Sequence, residues 1–164
     1  MVSLLAGCVD RIHDFSATTP GDVDVASRSL DGDVLTESAG IAGRNETIHA
    51  ASFTAADEAT AALDTESSHY DGAAAFVDDT DFLDDGGGSV LVAAQRVTTP
   101  AIELRLGSVS RTSRESLRIA VDEIGHGGSD DEVVKTLLVR LTDHRGTVER
   151  ITVSFDGDRA SVTL

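Results

Sequence analysis

From residue 89 to the C-terminus, apolar side chains recur at every second position, and this period narrows the fold more than any other feature. Ile102, Leu104 and Leu106 alternate with Glu103 and Arg105. Leu117, Ile119 and Val121 alternate with Arg118 and Asp122, and Leu137, Val139 and Leu141 with Leu138 and Arg140. Ile151, Val153 and Phe155 alternate with Thr152 and Ser154, and Val162 and Leu164 close a last strand. A period of two places each apolar set on one face of a strand. Residues 90–94 are apolar throughout, as in a central strand covered on both faces. Turn-forming segments separate the runs: Thr112-Ser113-Arg114, residues 125–131, His144-Arg145-Gly146 and Asp156-Gly157-Asp158. Such short connections predict antiparallel neighbours, hence a meander, an antiparallel β-sandwich or a partly closed barrel.

The N-terminal half reads differently. Residues 23–36 fit a hairpin with Asp31-Gly32 as its turn, residues 40–43 a loop and residues 47–53 a short strand. Thr54 stands as an N-cap, with Asp57 at the capping-box position and good helix formers over residues 55–63. Residues 73–77 fit a further helical turn. The expected class is therefore mainly β with minor α (α+β), with one or two short helices in the N-terminal half. With aromatics at 4% and no Trp, the core is built from Val, Leu, Ile and Ala. A single β-rich domain is expected over residues 22–164, a size that supports a real core.

Charge describes the environment. The net charge is -16, and Lys135 is the only lysine beside twelve arginines. Abundant carboxylates with almost no lysine fit an extreme halophile, specifically a haloarchaeon, in which molar salt screens repulsion over about 3 Å. The same charge argues against a nucleic-acid partner, which needs a basic footprint. Residues 1–99 carry 18 acidic and 4 basic side chains, and residues 100–164 carry 11 and 9. The first part is expected to be more exposed, and the second a compact sheet with cross-strand ion pairs.

Cys8 is the only cysteine and ends Leu5-Ala6-Gly7-Cys8, the form of a lipobox, where a lipoprotein precursor is cut and lipidated. Residues 1–8 then read as a truncated leader, since the few residues ahead of the tetrad carry no Lys or Arg. Residues 9–21 read as a polar tether. Lipidation of Cys8 would hold the protein on the outer face of the cytoplasmic membrane, with two chains or a partner needed for a stable anchor. The alternative is a soluble cytosolic structural or regulatory protein in which Cys8 is a plain thiol.

The segments FVDDTDF, SVLVAAQ, ELRLGSVSR, ESLRIAV, TLLVRL and VERITVSF, over about residues 73–155, are similar to an uncharacterised group of haloarchaeal secreted or lipid-anchored proteins. More distantly, the strand order resembles the small domain of protease-complex accessory subunits (PrcB-like). The resemblance implies an exported domain with a non-catalytic binding or scaffolding role. It also implies paired cysteines in this region, which this chain lacks.

Other constellations are weighed on their chemistry. Asp79, Asp81 and Asp84, with Asp78 and Asp85, precede three glycines and could ligate Ca²⁺. The EF-hand pattern fails, because Leu83 and Asp84 stand where a ligand and a Gly are required; the plain reading is a solvated acidic loop with weakly bound Ca²⁺, Na⁺ or K⁺. A Ca²⁺-dependent enzyme is the remotest reading. Gly125-His126-Gly127-Gly128-Ser129 has the look of an oxyanion loop but lacks a nucleophile elbow. His13, His49, His69, His126 and His144 show no metal spacing. Asn45-Glu46-Thr47 is a glycosylation sequon. Arg105, Arg118, Arg140 and Arg150 are expected on a solvated sheet face, paired with Glu103, Asp122 and Glu149 or forming an anion-binding strip. The leading expectation is a non-catalytic, lipid-anchored module that holds a protein or envelope polymer on a sheet edge or face.

Overall fold

The computed structural model describes residues 19–164, so Cys8, the leader, His13 and most of the expected tether lie outside the described residues. In chain order the elements are β1 (Val23–Leu30), β2 (Ile48–Phe53), α1 (Ala56–Ala62), α2 (Tyr70–Asp78), a 3-10 turn (Leu83–Asp85), β3 (Ser89–Thr98), β4 (Glu103–Ser113), β5 (Ser116–Ile124), β6 (Val133–Asp143), β7 (Arg150–Phe155) and β8 (Asp158–Thr163). They form two four-stranded sheets, ordered β1-β6-β3-β2 and β4-β5-β7-β8, packed as a β-sandwich. The α+β class is as the alternation predicts.

The alternating sets meet between the sheets. Leu104, Leu106, Val109, Leu117, Ile119, Val121, Ile151, Val153 and Phe155 from the second sheet face Val90, Val92, Ala94, Leu137, Val139 and Leu141 from the first. The first sheet buries its other face as well. Leu91, Ala93 and Leu138 pack under Ala59, Ala62, Ala73, Val77 and Phe82 of the helical layer. This double burial is why residues 90–94 read as an unbroken apolar run. The molecule thus has three layers: helices and long loops, the first sheet, and the second sheet.

The connections depart from a meander. β4–β5 and β7–β8 are antiparallel neighbours, but the chain crosses between sheets from β3 to β4, from β5 to β6 and from β6 to β7. β5 and β7 therefore run parallel, with Leu117 opposite Ile151 and Ile119 opposite Val153. Period two assigns a face to each side chain and carries no information on which sheet receives the strand. The β7–β8 turn is as expected: Asp156 and Gly157 both have positive φ, 34° and 102°, the backbone a tight hairpin requires.

The hairpin expected over residues 23–36 does not form. β1 pairs with β6 instead, with Val23 opposite Asp143 and Leu30 opposite Thr136. The Asp-Gly segment is tied elsewhere: Asp31 takes a bond from Lys135, Asp33 takes one from Gln95, and Gly32 O accepts the Thr136 hydroxyl. Helix α1 begins at Ala56, one residue later than expected, with Ala55 rather than Thr54 at the cap position. Thr54 Oγ1 donates to Asp84, and Asp85 Oδ2 accepts the Ala56 N–H at 2.8 Å, so the cap comes from a distant loop. The first half of the chain is also less peripheral than its charge suggests, since β1, β2 and β3 supply three strands of one sheet.

Candidate functional site

The acidic loop first shows what its carboxylates touch. Asp84 and Asp85 hold the start of α1, and Asp84 N–H donates to Thr54 O at 2.8 Å. Asp79 closes α2, and its carbonyl accepts from Arg140 at 2.6 Å. The Asp81 carbonyl accepts the Ser89 N–H at 3.0 Å. Gly87 passes so near Asp81 that a Cβ there would sit 2.2 Å from its carbonyl oxygen. Asp79, Asp81 and Asp84 are thus spread along a folded turn, and among the described residues no three His, Cys, Asp or Glu side chains converge to hold a metal.

The described histidines are also dispersed. His49 Nε2 bonds Ala39 O, His69 packs on Gly32, His144 pairs with Asp24 at 2.6 Å, and His126 is exposed. The segment from Gly125 to Ser129 lies in the β5–β6 connection. Asn45 is exposed in the loop between β1 and β2, so its sequon is accessible.

A buried polar web, unmarked by any motif, holds the long β1–β2 loop to the first sheet. Gln95 is fully buried; its Oε1 accepts the Ile41 N–H at 2.7 Å, and its Nε2 donates to Asp33 at 2.6 Å and to Thr136 Oγ1 at 3.2 Å. Lys135, 5% exposed, donates beside this web to Asp31 and to Pro100 O, both at 3.0 Å. A polar residue late in an apolar strand and a solitary lysine were the sequence signals for both.

Most cations are committed in the same way. Arg96 bonds Glu123 at 3.2 Å and Asp158 at 2.9 Å. Arg111 bonds Asp22 at 3.1 Å and Asp143 at 2.7 Å, and Arg145 also reaches Asp22. Burial alone would raise the Asp143 pKa; the Thr147 N–H, the Arg111 guanidinium and the Arg145 N–H overcome this and hold it below the ordinary carboxylate range. Arg140 lies over the Phe76 ring in the helical layer, away from the other sheet arginines. Arg105 pairs with Glu103 two residues away on its own strand rather than across strands.

The outer face of the second sheet is the exception. Register places its side chains in rows. One row is Ser110, Arg118, Thr152 and Ser161; the next is Ser116, Arg150 and Thr163; a third is Ser108, Ala120, Ser154 and Arg159. Each row holds one arginine among small side chains, nearly all hydroxyls. Of the 29 acidic residues in the chain, the strand register sets Glu103 and Asp122 on this face, both at one end. Among the described residues, the side chains of Arg118, Arg150 and Arg159 make no hydrogen bond or ion pair to protein groups, and Arg118 Nε is covered yet unbonded. Both helices pack on the first sheet, so among the described residues no helix covers this face. Parity exposes Arg118 and Arg150 on a solvated face; the rows, and the place of Arg159, emerge only with the register.

Comparison of the chain with protein-family models, with curated proteins and with solved structures finds no match.

Proposed function

We propose that this protein is a non-catalytic binding or accessory domain, lipid-anchored through Cys8 at the cell surface of an extreme halophile, which holds its partner on the outer face of the second sheet. One observation carries the reading: among the described residues, three arginines have unpaired side chains on an outer sheet face of a chain with 29 acidic side chains. Arg96, Arg105 and Arg111, by contrast, each hold a carboxylate. An unpaired guanidinium keeps its planar donors available to an incoming anion. The face is favoured over strand addition because each sheet edge is flanked: β1 lies against β4, and β2 against β8. The lipobox and the polar residues after it support the surface address.

The test has two arms. Full-length protein expressed with its genomic leader in a halophilic host is fractionated in molar salt, as wild type and as Cys8→Ser. The variant moves to the soluble fraction; unchanged membrane association refutes the lipid anchor. In the second arm, purified full-chain protein is sedimented with cell envelopes of the same host, and failure to co-sediment refutes the binding role.

A further inference from the structure

Resting on that reading of the open face, we infer that its ligand is an acidic polysaccharide whose sugars carry carboxylates. Three features of the face select this chemistry. First, Arg118, Arg150 and Arg159 offer planar, bidentate donors that match carboxylates, and among the described residues no carboxylate occupies them. From strand spacing and rise, Arg118 lies about 8 Å from Arg150 and about 12 Å from Arg159, so a polymer with repeated charges can meet all three. Secondly, the positions around them are Ser108, Ser110, Ser116, Thr152, Ser154, Ser161 and Thr163, with Ala120 the one side chain lacking a hydroxyl. A hydroxyl both donates and accepts, which suits the mixed donors and acceptors of sugar hydroxyls. Thirdly, the face carries no aromatic side chain; its apolar members are Ala120 and Ile124, the latter 43% exposed at one corner. A protein interface would require a buried aromatic or aliphatic anchor, and single-stranded nucleic acid would require stacking platforms.

Charge complementarity is local. The helical layer on the opposite side of the sandwich, residues 54–88, holds ten acidic side chains and no Lys or Arg. In molar salt the screening length is about 3 Å, so that distant charge ceases to repel an anionic polymer while guanidinium–carboxylate contacts persist.

The experiment is depletion of full-chain protein from molar KCl by polygalacturonate beads, with neutral dextran and single-stranded DNA beads alongside. Wild type is depleted by polygalacturonate alone. The triple variant Arg118→Ser/Arg150→Ser/Arg159→Ser, which extends the existing hydroxyl pattern and breaks no internal pair, binds about ten-fold or more weakly at an unchanged unfolding midpoint. If the triple variant fails to fold, Arg150→Ser, whose residue is exposed, is used and retains the expected loss in part. Undiminished binding by the folded variants overturns the face. Equal depletion by dextran or DNA overturns the ligand class, as does absence of polygalacturonate binding. Wild type that co-sediments with envelopes but ignores polygalacturonate leaves the binding role standing and removes only the ligand class; wild type that binds neither removes both.

Discussion

Replacing Gln95 by Leu tests whether the buried polar web fixes the long loop between β1 and β2. Leu has similar volume, so the change removes hydrogen bonds without opening a cavity. Ile41 N–H, now bonded to Gln95 at 2.7 Å, is left buried and unpaired. That costs about 1–3 kcal/mol. The amide also donates to Asp33 at 2.6 Å, and losing this bond to a charged group adds about 1.5–3 kcal/mol. Leu35 N–H still serves Asp33, and Thr136 still donates to Gly32 O, so the rest of the web stays partnered. The expected loss is about 2.5–6 kcal/mol, or about 5–24 °C in Tm for a chain of this size. Urea unfolding in molar KCl, extrapolated linearly, measures it. Hydrogen exchange at the Ile41 amide should accelerate beyond the global change, because its partner is gone. Gln95→Glu sharpens the test. It keeps an acceptor for Ile41 but sets a second carboxylate against Asp33, a repulsion of about 4 kcal/mol at an effective dielectric near 20. Protonation relieves that repulsion, so this variant recovers stability relative to wild type as pH falls. A Gln95→Leu loss under about 1 kcal/mol, or exchange at Ile41 that follows only global unfolding, would refute the reasoning.

Two further outcomes follow from other parts of the structure. The Asp143 pKa is depressed in the folded state, so its stabilisation is complete above the unfolded value near 4 and is lost as pH falls through the folded value. The stability gap between wild type and Asp143→Asn should therefore narrow in acid unfolding series; a gap constant from neutral pH to about pH 3 would contradict the assignment. Gly87→Ala drives a Cβ into the Asp81 backbone and should cost roughly 1–3 kcal/mol, while Gly128→Ala, with nothing within 4 Å, serves as the near-neutral comparison; equal thermal shifts would show that the acidic loop yields freely.

What the sequence made legible follows from what periodicity encodes. Leu104, Leu117, Ile119, Val153 and Phe155 are all buried as their parity requires, and the unbroken run before Gln95 is a strand covered on both sides. Parity is a local property, so it is silent on partners. Nothing near Asp31-Gly32 announces that Asp31 answers Lys135 and that Gly32 answers Thr136, both far along the chain. The capping box misplaced the start of α1 because Asp85, not a neighbour in sequence, satisfies the Ala56 N–H. The same limit applied to the open face. Arg118 and Arg150 were visible as exposed positions, but the hydroxyl rows in which they stand depend on register between strands, and Arg159 joins them only through the β7–β8 pairing.

The pairing of β1 with β6 shapes how the protein is born. Val23 must find Asp143, and Leu30 must find Thr136, more than a hundred residues later. During synthesis β1 therefore leaves the ribosome long before its partner exists, and β3, which β6 also flanks, waits with it. Contacts of such sequence separation are slow to close. Throughout that interval the exposed apolar strands share a nascent chain with ten acidic side chains and no Lys or Arg over residues 54–88. In molar salt that charge acts at contact range, where hydrated carboxylates keep the apolar segments of neighbouring chains from meeting. The acidic layer that later covers one side of the first sheet thus acts earlier as a solubilising escort, present before the strand that completes the sheet has been made.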